Sequence, residues 1–184
     1  MHRDMEQQLS VSQNLNKVKH QPTKLRMKKP GSPFAFVGDM SVLWPHLLFA
    51  TIFSTFQDAW QKRIVPSKEA LASFWNSMRD HPNLVNHPMK EVPRWWEKAV
   101  PIAIHGDQVP VVGVGKSWAK SMLIISWCSL LGMGSTLEMN FLIASMMTSL
   151  MTKTGDTTMQ QLWRQIVWSL QSLFLGGHPT HDQY

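Results

Sequence analysis

Between residues 99 and 152 the only formally charged residues are Asp107, Lys116, Lys120 and Glu138. So long a stretch with so little charge is expected to be removed from water, either in a protein core or in lipid. Its apolar runs cover residues 100–104, 109–114, 122–131 and 139–147, and Gly132 and Gly134 separate the last two. The first is short, apolar and bounded by turn signals, as a buried strand is, and the second can extend it. The third and fourth have strand-compatible length, although Met, Leu and Ala in the fourth suit a buried helix as well. A lone carboxylate, Asp107, stands just after the first run, so it is the residue whose presence most needs a reason.

The flanking segments are of a different kind. Residues 1–33 hold Lys17, Lys19, Lys24, Arg26, Lys28 and Lys29 among polar residues, with Pro22, Pro30 and Pro33. This composition reads as a solvated, disordered basic tail, able to act as an electrostatic arm for phosphate backbones or simply to aid solubility. From 39 to 63 the apolar residues Leu43, Trp44, Leu47, Leu48, Ile52, Phe53, Phe56 and Trp60 have helical spacing, with Asp39 or Ser41 as cap and Pro45 in the first turn. Ser67 caps a second helix with Leu71, Phe74, Trp75 and Met78 on one face, ending before Pro82. Residues 81–93 form a proline-rich connector, and 94–98 make one helical turn. At the other end Thr157 and Gln160 match a capping box. Behind them Met159, Leu162, Trp163, Ile166, Val167, Leu170, Leu173 and Phe174 form one apolar face, and Gly176 and Gly177 stop the helix. The expected fold is α+β: a basic tail over 1–33, a helical region over 34–99, and a small region over 100–184 with three strands in a meander and one closing amphipathic helix.

With 184 residues, 43% of them apolar, the chain accommodates one ordinary domain plus a tail. The formal charge of +6 suits a partner carrying phosphate, nucleic acid or anionic membrane. Cys128 is the single cysteine and lies in an apolar run, where a thiol is inert, so no disulfide framework exists. The polar, basic first 30 residues lack the apolar core of a secretory signal, which implies a nuclear or cytoplasmic protein that is not secreted. Nine tryptophans and thirteen methionines are accounted for by core packing. A competing reading makes the uncharged runs 42–57, 121–137 and 139–152 apolar helices, in a membrane or against a protein partner; each is near or below the roughly 17 residues that span a bilayer.

Familiar nucleotide motifs do not fit. Gly115-Lys116-Ser117 ends like a phosphate-binding loop, but the first glycine that motif requires is replaced by Pro110. After Gly113 and Gly115, Trp118 stands where a dinucleotide-binding turn has its third glycine. His105 and Asp107 fall on the same face of an extended strand. Two ligands do not close a zinc site, whereas Mg2+ is held by one or two carboxylates with water and substrate phosphates. Asp107 is thus either a candidate magnesium ligand with His105 beside it, or a turn-opening carboxylate that accepts a backbone amide.

The segment Pro101-Ile-Ala-Ile-His-Gly-Asp-Gln-Val-Pro-Val-Val-Gly-Val-Gly-Lys-Ser-Trp-Ala-Lys-Ser121 resembles the signature of a large multicopy family of dinoflagellate proteins. Leu162-Trp163, Trp168-Ser169 and Pro179-Thr180-His181-Asp182 resemble that family too, so the likeness spans about residues 80 to 184. Its copy number and layout imply descent from a transposase with a ribonuclease H-like core. On that resemblance Asp107 corresponds to the first catalytic, metal-binding aspartate, although the family shows Gly where this chain has Gln108. Such a core needs two further carboxylates on later elements, and neither Asp156 nor Asp182 is placed for that. The resemblance therefore implies a truncated core, a nucleic-acid-associated fragment inactive as a nuclease by itself. Lys116, Lys120, Lys24, Arg26, Lys28 and Lys29 are its expected phosphate contacts.

Overall fold

A computed structural model describes residues 20–112 and 120–177. The architecture is α+β, with a two-stranded and a three-stranded sheet and helices between and after them. The described residues form two compact units: one is built from those up to 55, those within 105–126 and those from 142 onward, the other from 56–104 and 127–141.

In the first unit, β1 (Gln21–Lys28) and β2 (Ala35–Val42) form an antiparallel hairpin with Lys28 opposite Ala35 and Gln21 opposite Val42. For residues 21–28 this corrects the reading of 1–33 as a disordered tail, while residues 1–19 lie outside the described residues. Thr23, Leu25 and Met27 alternate with Lys24, Arg26 and Lys28, and the first three are buried, so period-two patterning outweighs the polar average of the segment. β2 also takes residues 39–42 away from the helix expected over 39–63. Asp39 and Ser41 lie in the strand and cap nothing, since Met40 and Val42 are buried as strand residues.

The helix instead begins at proline: α1 is Pro45–Thr55, with Leu48 and Ile52 one turn apart and buried. In the second unit α2 (Gln57–Arg63) follows a break at Phe56, whose φ of −123° and ψ of 65° are not helical. α3 (Lys68–Ser77) starts as expected, with the Ser67 hydroxyl accepting the Ala70 amide at 3.1 Å. Leu71 and Trp75 of α3 pack with Leu84 and Met89, and Phe74, Met78 and Trp95 close around them. Short 3-10 turns at Pro82–Leu84, Pro88–Glu91 and Trp95–Glu97 carry the chain through the proline-rich connector.

The second sheet has the order β3–β4–β5, with β3 Ile102–Val112, β4 Lys120–Ser129 and β5 Phe141–Met147. The runs 121–137 and 139–152 thus hold strands up to Ser129 and over Phe141–Met147, joined through a turn and a one-turn α4 (Thr136–Met139), which corrects the reading of both as apolar helices, whereas the run 42–57 does contain the helix α1. Among the described residues no helix is long and apolar enough to cross a membrane.

The closing helix α5, Thr158–Leu175, has the expected capping box of Thr157 and Gln160 and ends on Gly176 in the left-handed region at φ 65°. Its buried face is rotated from the expected one. Thr158, Leu162, Ile166, Ser169 and Ser172 are buried, while Trp163, Val167 and Phe174 are exposed. The reason is polar: the Ser169 hydroxyl lies 2.8 Å from His46 Nδ1 and accepts the His46 amide at 3.3 Å, so the small-residue stripe meets α1. Trp44 and His46 then stand edge-on to Trp168.

Candidate nucleic-acid interface

Strand alternation organises the cations of the first hairpin. Directly paired residues share a face, so Lys24 and Asp39, Arg26 and Val37, and Lys28 and Ala35 lie on the side opposite the buried Leu25 and Met27. Lys29 begins the connecting turn, where Ser32 donates its amide to the Lys29 carbonyl at 3.1 Å and Phe34 donates its own to the Ser32 hydroxyl at 3.2 Å. Gly31 takes the positive φ of 77° that this turn requires.

The outer side of β1 is fastened by α5 and the loop before it. The Arg26 amide donates to Gln161 Oε1 at 2.8 Å, the Thr158 hydroxyl donates to the Arg26 carbonyl, and Met27 bridges to Met151. Thr152 and Thr158 exchange amide-to-hydroxyl bonds at 2.9 and 3.0 Å, which fixes the start of α5 against the strand. The Arg26 guanidinium leans toward Gly155, where an added Cβ would come within 2.8 Å of its Nη1. The neighbouring Asp156 is held below the usual carboxylate range by the Arg164 hydrogen bond first, and by the Gln161 amide and the charges of Arg164 and Arg26 as well. Arg26 thus serves the loop as well as the surface. Lys24, Lys28 and Lys29 form no ion pair among the described residues.

The residues expected at a metal centre are placed differently. Asp107 does not stand just after a buried strand. It lies in the middle of β3, which pairs with β4 alone among the described residues and whose residues 104–111 are all exposed, so this part of the low-charge stretch is not buried. Its Oδ1 accepts the Gln108 amide at 2.7 Å, the turn-like contact of the alternative reading, here made within a strand. His105 is exposed and shares a face of β3 with Asp107. Among the described residues no group of three His, Cys, Asp or Glu side chains could hold a metal ion. Glu138 is bound by Arg63 at 2.7 Å and Asp156 by Arg164, so each carboxylate already has a cationic partner. Lys120 opens β4 and is exposed, while Lys116, His181 and Asp182 lie outside the described residues.

The cations of 24–29 stand out in the sequence, but the hairpin that aligns them does not. Nor do Phe34, 78% exposed at the turn, and Val37, 68% exposed opposite Arg26. The signal was available in the alternation of Thr23, Leu25 and Met27 with the cations and in the Pro-Gly of the turn. No protein-family model, no curated protein and no solved structure matches the chain.

Proposed function

We propose that this chain is a transposase-derived, nucleic-acid-associated fragment whose catalysis is incomplete and whose binding surface is the β1–β2 hairpin. The observation that carries the nucleic-acid association is the alternation placing Lys24, Arg26 and Lys28 on the outer face of one strand, with Lys29 continuing into the turn; the transposase descent rests on the resemblance of the 101–121 segment. Phosphate contacts supply sequence-independent affinity through counterion release, and a fixed row of cations loses less side-chain freedom on binding than a floppy arm. Lys116 and Lys120 would add phosphate contacts. Asp107 and His105 would offer Mg2+ two ligands, too few for hydrolysis with Glu138 and Asp156 engaged elsewhere. The nuclear or cytoplasmic location expected from the sequence accords with such a role.

The test is binding to a labelled oligonucleotide at increasing salt. Substituting Lys24, Lys28 and Lys29 together by Ala is expected to weaken binding and to reduce the slope of log K against log salt by about 0.7 to 0.9 per lysine removed. Binding that is absent, insensitive to salt, or unchanged in the triple variant overturns the proposal.

A further inference from the structure

Resting on the hairpin as the nucleic-acid surface, we infer that its ligand is a single strand, held by a file of phosphates along β1 and by a base stacked on Phe34. Lys24, Arg26 and Lys28 alternate along one strand, so their Cα atoms recur about every 6.7 Å, a spacing comparable to that of successive phosphates along one nucleic-acid backbone. The register decides against a duplex. To straddle a groove the hairpin would need a second file of cations from β2, yet β2 supplies Ser41, Asp39, Val37 and Ala35 to the same face. Asp39, exposed beside Lys24, would repel the second phosphate backbone.

Phe34 supplies what a single strand offers and a duplex withholds, contact with an open base face. A ring of this size usually buries its surface, but this one is 78% exposed. The turn that presents it is ordered by the Ser32 amide on the Lys29 carbonyl and the Phe34 amide on the Ser32 hydroxyl, and is stiffened by Pro30 and Pro33. Lys29 and Phe34 flank the same turn, so a phosphate and its base can be met together. Phe36, 41% exposed, is less available because its ring lies along Gly38 and faces the Met27 side. Stacking on an aromatic tolerates any base, so the preference expected is for strandedness and not for sequence.

The experiment compares an end-labelled oligothymidylate of about 15 nucleotides with a duplex of equal length by fluorescence anisotropy, using the full chain. The single strand is expected to bind more tightly. Phe34→Ala is expected to weaken it roughly tenfold while leaving the salt slope and duplex affinity unchanged, and Phe34→Trp to retain it. A duplex bound as tightly as the single strand, or single-strand affinity unchanged in Phe34→Ala, overturns this inference and leaves the hairpin reading standing. Binding of neither oligonucleotide at about 50 mM salt removes both. Capture by anionic lipid vesicles, reduced in Phe34→Ala and without oligonucleotide binding, assigns the surface to a membrane and also overturns both.

Discussion

Arg63 and Glu138 show how few side chains settle the connection between β4 and β5. Arg63 donates to Glu138 Oε1 at 2.7 Å and to the Met133 carbonyl at 3.0 Å, while the Ser135 amide and hydroxyl each reach Glu138 Oε2 at 2.9 Å. Gly134 is required there: its φ is 140°, and an added Cβ would meet Arg63 Nη1 at 2.1 Å. The Arg63 guanidinium, then the Ser135 amide, pull the Glu138 carboxyl down to about 2 from 4.5. Because the folded value lies below the unfolded one, the contribution is complete above about pH 4.5 and is lost as pH falls toward 2. Glu138→Gln is therefore expected to lower the melting temperature at neutral pH and to flatten its fall between these limits. Circular-dichroism melts across that range check this. Glu69 and Asp156 are also held low, so the difference between variant and wild type isolates Glu138, and parallel curves would contradict the account.

At the scale of elements, α5 gives the sharpest test because helical periodicity and the structure select different faces. Leu162→Ala and Ile166→Ala are expected to cost about 2 to 5 kcal/mol each, measured by denaturant unfolding. Both side chains are almost wholly buried. Val167→Ala, on the expected apolar face but 46% exposed, should change stability by no more than about 0.5 kcal/mol. Equal losses at 166 and 167 would contradict the observed orientation. The helix ends were legible in Thr157, Gln160 and Gly176, since a cap is chemistry local to a few residues. The face was not, because Thr158 and Ser169 count as polar on any scale yet are buried on Arg26 and His46, partners distant in sequence, and Ser172 is buried with its hydroxyl on the Trp168 carbonyl of its own helix. The same limit explains the hairpin: the polar average of 1–33 concealed the alternation of Thr23, Leu25 and Met27. The three strands of the second sheet were legible from length and turn signals. The meander puts the strand that carries Asp107 at an edge, but the exposure of 104–111 was not legible, since apolar residues such as Ile104, Val109 and Val111 read as buried.

For the molecule as a whole, charge and the surface that presents it make the functional argument. The formal charge of +6 fits a polyanionic partner without locating it, whereas the β1–β2 register gathers Lys24, Arg26 and Lys28 on the outer face of one half-buried strand, with Lys29 in its turn. Exposed lysines such as Lys62, Lys68 and Lys90 provide an internal comparison, since they carry the same charge on α2, α3 and a short turn. The most direct measurement is lysine acylation read by mass spectrometry, with and without a saturating oligonucleotide. Lys24, Lys28 and Lys29 are expected to lose reactivity on binding while Lys62, Lys68 and Lys90 keep theirs. Uniform loss across all six, or protection of the second set alone, would contradict that expectation.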